Sequence, residues 1–524
     1  MNVIEKAISV FSPKVAVNRA MARKQLEVIN GTGYGYGNYG ANSNRKAQKR
    51  WFWQSRSPKE DIDLNHDELM QKARDLYYGT TIGNGALKTI RTNVVGVGLK
   101  CRPNIDAEFL GMTEDQATEW ERTTMREFKL WSESTNCDAE RINNFYELQQ
   151  LAFLSWIMNG DVFATLPFKP RPNMPYDLRV QLIEADRVCN PNLDTLNSKI
   201  TEGVERDSTG EIIAYHICNV HPKSYLNKDA RRWDRVLAYG PRTGRKNVLH
   251  CMSQERIGQA RGVPLLAPVI EAVKQLGRYT DAELAAAVVS GMFTVFVYQD
   301  AIGNDKPIGE DNEEYEQEDA ANEISLGNGS IVGLNPGEKV EFANPTRPNT
   351  GFEGFINALC RQIGASLELP VELLLKQFTK SYSASRAALL EAWKTFKMYR
   401  GWLSNDFCQP IYEEWLAEAV SKGRILAPGF FLDPIIRKAY CQCGWNGPAQ
   451  GTLDPTKEVE AAQMRVENGF TTRQQETIEL GGGDFFDNNR QRIREERARE
   501  KIPNSFNQTT KIEKKEEIGQ DDSD

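Results

Sequence analysis

The sequence predicts a mixed α+β protein, and three observations carry that prediction. Two long apolar stripes with helical spacing run from Pro264 to Gly291 and from Phe352 to Leu369. Short strand-like runs bounded by Gly, Asn, Asp and Pro lie between residues 161 and 252 and again between 293 and 342. A further helical block follows Asp454. At about 150 residues per domain, a chain of 524 residues makes about three or four lobes.

Residues 1–66 read as a flexible arm. Gly31–Gly40 (GTGYGYGNYG) is low in complexity and does not fold alone. After it, Arg45, Lys46, Lys49, Arg50 and Arg56 interleave with Trp51 and Trp53. That mixture suits charge and stacking contacts with nucleic acid, and equally a tether to a neighbouring subunit or plain disorder.

From Asp67 to Thr92 one helix is expected, passing through Asn93–Leu99 (NVVGVGL) into a strand. Thr113–Glu133 and Asn143–Met158 read as two more helices. Asp161–Leu166 and Leu178–Glu184 read as strands. Val204–Cys218 holds two strands around Asp207-Ser208-Thr209-Gly210, a hairpin signal. Arg231–Lys246 reads as a basic loop and Val248–Met252 as a short strand.

In the first stripe Leu265, Leu266, Val269, Ile270, Val273 and Leu276 share one helical face, and Pro268 falls in the first turn, where its missing N–H is not needed. From Pro268 to Gly291 a helix reaches about 36 Å. In the second stripe Phe352, Phe355, Ile356, Leu359, Ile363 and Leu367 share a face, with Gly354, Ala358 and Ala365 on a slimmer one. Such a helix can pack on two neighbours at once; an ordinary amphipathic core helix has the same spacing. Between the stripes, Phe293, Val295 and Val297 alternate as in a strand. An acidic run follows, Asp300 to Glu323, with Glu310, Asp311, Glu313 and Glu314 among its carboxylates. ISLGNGSIVGLNPGEKVEF then reads as two short strands joined by a turn. The acidic surface suits a solvated face, a docking surface or a wall that repels nucleic acid.

After Pro370 no single period holds. Ser383 or Ser385 can cap the following helix, which is expected to bury Leu389, Leu390, Trp393 and Phe396 and to display Arg386, Lys394, Lys397 and Arg400. Pro410–Val420 continues as helix. Asp454-Pro455 marks a helix start, Gly469 an end, Thr472 a second cap, and Asp487–Glu500 a third, highly charged helix. The tail beyond Ile502 is polar and expected to be disordered.

A net charge of −7 does not fit a tight nucleic-acid binder, so any DNA contact has to be local and weak. Nine scattered cysteines and the lack of a signal peptide point to free thiols in a reducing cytoplasm. The longest apolar run, Leu284–Tyr298, is too short for a bilayer span, so no membrane partner is expected. Cys441 and Cys443 with Cys408 lack the paired spacing of a structural zinc site. No P-loop, HExxH, GxSxG or correctly placed GxGxxG is present, so no enzyme, cofactor or metal is expected.

At Arg256-Ile257-Gly258-Gln259-Ala260-Arg261-Gly262-Val263-Pro264 the chain resembles the lambda-type bacteriophage portal proteins, the head-tail connector family. Asn93–Leu99, Ser381–Trp393 (SYSASRAALLEAW) and Trp445–Glu458 (WNGPAQGTLDPTKE) resemble the family too, in order along the chain. The resemblance implies a portal fold of wing, stem, clip and crown that assembles as a ring, typically a dodecamer. Such a ring sits in the virion at one capsid vertex and is assembled in the bacterial cytoplasm. Double-stranded DNA passes its channel during packaging and ejection. The resemblance also implies terminase docking, contacts with major capsid and scaffold proteins, and binding of head-completion or adaptor proteins.

Carried over by order, residues 67–264 are the wing, 265–291 the first stem helix, 292–342 the clip and 343–369 the second stem helix. Residues 370–384 are the tunnel loop, 385–453 the long wing helix and return strand region, 454–501 the crown and 502–524 the tail. Lys376, Lys380, Ser381 and Arg386 then become the candidates to meet DNA in the tunnel loop. Asp300, Glu310, Asp311, Glu313 and Glu314 become the partner-docking residues of the clip. Val273, Leu276, Phe355, Leu359 and Ile363 become the stem residues for ring packing. A few basic groups repeated around an acidic ring would guide phosphates without reading sequence. A head-tail adaptor or scaffold subunit without a DNA channel is the alternative.

Overall fold

The computed structural model describes residues 55–194, 199–225, 230–291, 295–299, 338–342, 351–378, 381–451, 454–481 and 483–500. By its internal packing the chain divides into residues 1–57 and 58–524. Only the second unit is described beyond a few residues. It is α+β, as expected. Its described helices are too short or too polar to cross a membrane.

The folded body starts earlier than the sequence suggests. A helical turn at Pro58–Asp61 and a tighter one at Asp63–Asn65 precede helix α1 (His66–Gly79), and Asp63 is already buried. The single helix expected from Asp67 to Thr92 is in fact two. The chain turns extended at Thr80, whose hydroxyl then accepts from Gly83 N and starts α2 (Thr81–Val94). A hydrophobic period that runs through such a corner does not reveal it.

Strand β1 (Lys100–Pro103) leads to α3 (Glu114–Ser132) and α4 (Phe145–Asn159). Both helices open with reciprocal capping boxes, Thr113 with Gln116 and Asn144 with Glu147. Strands β2 (Asp161–Thr165), β3 (Gln181–Ile183) and β8 (Val248–Met252) form an antiparallel sheet in the order β3-β2-β8. A second sheet runs β4 (Ile200–Thr201), β5 (Val204–Arg206), β6 (Ile212–Cys218), β7 (Trp233–Leu237). Strand β7 lies inside the expected basic loop. Its alternation was hidden by Arg235, which faces His216 across the strands and pairs with Glu205 on the surface.

A 3-10 turn at Ala267–Val269 carries Pro268 and feeds α5 (Ile270–Gly291). Beyond it β9 (Val295–Gln299) pairs antiparallel with β10 (Glu338–Phe342), and α6 (Phe352–Ser366) returns. The first of the two strands expected between Ile324 and Phe342 lies outside the described residues, as does the acidic run. Tyr279 of α5 stacks on Phe352 and meets Phe355 edge-on, with centroids 5.6 and 4.8 Å apart.

Helix α7 (Val371–Leu375) is short, and α8 (Tyr382–Leu403) begins earlier than expected. Ser381 takes the N-cap position without a side-chain bond, so Ser383 and Ser385 lie within the first turn rather than capping it. Trp393 and Phe396 are buried as expected, but Leu390 is exposed and Leu389 only half-buried. Arg400 is not displayed. It donates to the carbonyls of Asn93, Val94 and Pro448 and lies over the Trp393 ring, and burial lowers its pKa to about 10. A π-helical turn at Ser404–Cys408 joins α8 to α9 (Gln409–Ser421). There Phe407, Tyr412 and Trp415 fill the main core beside Phe128 and Phe145.

Helix α10 (Pro434–Tyr440) and strand β11 (Cys443–Asn446), paired with β1, lead to three helices, α11 (Pro455–Glu467), α12 (Arg473–Gly481) and α13 (Phe485–Glu500). Asp454 and Thr472 cap the first two as read, accepting from Lys457 N and Gln475 N, and Asp484 caps the third.

Candidate channel segment and the motif that anchors it

The segment from Arg256 to Pro264 is the joint between the sheets and α5. Arg261 is fully buried, and all five of its N–H groups are used. Nε donates to Asp161 Oδ2 at 2.5 Å and Nη2 to Asp161 Oδ1 at 3.0 Å. The remaining donors go to the carbonyls of Ala185, Val188 and Glu202 at 2.7–3.0 Å. Burial alone would raise the Asp161 pKa, but the guanidinium outweighs it and holds the carboxyl far below the usual carboxylate range. His250 adds a contact at 3.4 Å to Asp161 Oδ2 while its ring stacks on Phe163.

The neighbours of Arg261 in the motif are equally committed. Gln259 accepts from Glu255 N and Arg256 N and donates to Arg261 O. Asp63 accepts from Ala260 N and Arg261 N. Gly262 lies so close to Gly160 that a Cβ would stand 1.9 Å from the Gly160 carbonyl oxygen, so no side chain fits there. His66, buried beside the pair, is kept neutral: burial and then the Arg261 charge lower its pKa to about 4. The second half of the motif, from Gln259 to Gly262, is therefore a buried polar staple, while Arg256, Ile257 and Gly258 before it are exposed.

The stem candidates divide. Val273, Leu276 and Ile363 are buried within the chain's own core, Leu359 is partly buried, and Phe355 is half exposed. Leu284 and Val288, further along α5, are also exposed, and sequence spacing did not single them out.

The turn after α6 is tight. Glu368 has a positive φ of 53°, and Leu369 N donates back to Gly364 O. Lys376 ends α7 in the left-handed conformation and is exposed, with Gln377 and Phe378 exposed beside it. Ser381 is exposed, its hydroxyl 3.4 Å from that of Ser383. Lys380 lies outside the described residues. Arg386 points to the C-terminal helices, where it meets Glu458 of α11 at 3.4 Å. Lys397 likewise meets Glu479 of α12 at 3.1 Å, so two ion pairs join α8 to the terminal helices. The candidate clip residues Asp300, Glu310, Asp311, Glu313 and Glu314 lie outside the described residues.

Among the described residues one group of three potential metal ligands comes together, Glu184, Asp186 and His221. The Arg74 guanidinium already pairs with Asp186 and lies 3.7 Å from Glu184, supplying the positive charge a cation would bring. No metal function is drawn from it.

Helices α5 and α6 meet through Tyr279, Phe352 and Phe355, β9 and β10 pair between them in sequence, and ion pairs tie α8 to α11 and α12. A family model described as "Phage portal protein, lambda family" matches residues 44–400, and the chain belongs to that family. It is 23% identical over 447 residues to portal protein B of Escherichia phage lambda, covering 81% of this chain and 83% of that one. To the portal protein of Escherichia phage N15 it is 24% identical over 473 residues, covering 85% and 87%. A chain from the virion of a native gene transfer agent particle aligns with a TM-score of 0.42 and 12% identity, over 82% of this chain and 94% of that one. A chain from the neck of a native gene transfer agent particle computed with C12 symmetry gives 0.40 and 13%, over 80% and 93%.

Proposed function

We propose that this portal protein closes into a ring of about twelve subunits, the size typical of the resemblance, using one heterologous interface repeated around the axis. The ring sits at one capsid vertex and gives double-stranded DNA its path into and out of the head. The family match across residues 44–400 carries this reading. Electron microscopy of the purified full chain, with its mass from light scattering, tests it. Rings with an open centre are the expected result; a uniform monomer across salt conditions would sink the reading.

Within that ring, α5 and α6 form the stem. The exposed apolar residues Phe355, Leu284 and Val288 serve subunit packing, while Val273, Leu276 and Ile363 hold the two stem helices to their own subunit. The segment 370–384 lines the channel, where Lys376 and Lys380 offer phosphates a weak guide that is blind to sequence. Arg386, engaged with Glu458, contributes less to DNA and more to holding the crown on α8. Joint Lys376→Ala and Lys380→Ala substitution is expected to leave rings intact while DNA packaged per head or retained after filling falls. Normal packaging by the double variant would remove both residues from the channel.

The acidic stretch Asp300 to Glu323 docks the packaging motor and, later, head-completion proteins, in keeping with its position between the stem helices. A short linker in its place is expected to abolish pull-down of terminase large subunit without loss of rings. Loss of the rings themselves would make the stretch an assembly element instead. Capsid and scaffold proteins complete the expected partners, and assembly in the host cytoplasm completes the setting.

A further inference from the structure

Strands β1 and β11 form an isolated antiparallel pair in which Cys101 lies opposite Trp445 and Cys443 opposite Pro103. The two cysteines are therefore offset by two residues and share one face of the pair, where diagonal side chains meet. Their sulfurs are 2.8 Å apart. A disulfide requires about 2.05 Å, so the remaining approach is about 0.8 Å, within reach of a small side-chain rotation. The surroundings are asymmetric. Cys101 is buried, whereas Cys443 is partly exposed and reachable by a reagent. Burial, and then Cys443 itself, hold the Cys101 thiol well above its ordinary range, so Cys101 rests as a thiol.

We propose that Cys101 and Cys443 are an oxidisable pair that closes into a disulfide when the chain meets a small-molecule disulfide, of the class of oxidised glutathione. The Cys443 thiol loses its proton and attacks one glutathione sulfur. The glutathione S–S bond breaks, and one glutathione leaves as thiol. Cys101 then gives up its proton and attacks the Cys443 sulfur, and the second glutathione leaves as thiol. The protein loses two protons and two electrons, and the glutathione disulfide gains both. In a reducing cytoplasm the pair stays open; outside it, the same chemistry closes it.

The crosslink joins residues 342 apart in sequence. It fixes β11, the strand that leads into α11–α13, to β1, which follows directly on α2. Closing so long a loop restricts the unfolded chain, so the closed form is expected to unfold at higher temperature. Cys408, buried and within electrostatic reach of both Cys101 and Cys443, is a competitor for either thiol.

The test uses the full-length chain, purified reduced, then exposed to oxidised glutathione. After free thiols are blocked, digestion and mass spectrometry identify every bridge. The expected result is a Cys101–Cys443 peptide pair, loss of two of the nine titratable thiols, an upward shift of the unfolding midpoint, and reversal of all three by dithiothreitol. Cys443→Ser, at a partly exposed position, is expected to abolish the bridge and leave Cys101 reduced, while Cys408→Ser leaves the Cys101–Cys443 bridge unchanged. A stable glutathione adduct on Cys443 beside a free Cys101 would overturn the proposal. So would a Cys408–Cys443 bridge, or nine thiols left free after exposure.

Discussion

Arg261→Met is expected to lower the stability of the chain by about 3–5 kcal/mol, the cost of leaving one partner of a buried ion pair without the other. The substitution keeps an unbranched stem, though a shorter one, and removes every side-chain N–H. Asp161 is then left ionised, with no exposed surface, and with its main compensating charge gone. The carbonyls of Ala185, Val188 and Glu202 lose their donors in the same step. Urea unfolding followed by the fluorescence of the buried tryptophans measures the loss. The double variant Arg261→Met, Asp161→Asn removes both charges and is expected to recover part of it, because residues in one network do not add independently. A single-variant effect below about 1 kcal/mol would show that the pair does not hold the joint. The functional consequence follows from position. The staple sits directly before α5, and Leu265 N is bonded to Ile157 O, so loosening it frees the root of the stem helix. Ring formation by Arg261→Met chains is expected to fall with the stability.

Much of this architecture was readable in the chain, and the parts that were not share one cause. Stripes at helical spacing placed α5 and α6, and local cap residues such as Asp454 and Thr472 placed helix starts, because both signals act within a turn or two of the residue concerned. The motif at Arg256–Pro264 was readable as a resemblance, but its mechanism was not. Asp161 and Asp63 lie 100 and 198 residues from Arg261, and no local pattern links them. Arg400 shows the same limit from the other side. Helical spacing put it on a solvent face, yet the carbonyls at the end of α2 and before α11 come over it and half-bury it. Leu390 was misplaced for the converse reason: its spacing is apolar, but among the described residues nothing packs over it closely enough to bury it. The split between α1 and α2 needed a hydroxyl cap in the middle of an unbroken period.

Acid is expected to act on the same joint through His66. Its pKa of about 4 lies below the ordinary imidazole value because burial, and then the Arg261 charge, disfavour the protonated ring. Above about pH 6.5 both folded and unfolded chains carry the neutral ring, and the contribution is complete. Between that value and about 4 the unfolded chain binds the proton and the folded chain does not, so stability falls as pH falls. At about 1.4 kcal/mol per pH unit the window amounts to about 3 kcal/mol. Comparison with His66→Gln, neutral at every pH, isolates this contribution from Asp63, whose folded pKa is raised by burial and which acts with the opposite sign at low pH. Between pH 7 and pH 4.5 the parent chain is expected to lose about 2–3 kcal/mol more than the variant. Parallel pH profiles would mean that His66 is not held neutral beside the pair. The charge also couples the two predictions. In Arg261→Met the charge that opposes protonation is gone, so His66 should take up a proton beside the bare Asp161 carboxylate, and the variant's stability deficit should narrow as the pH falls below about 6.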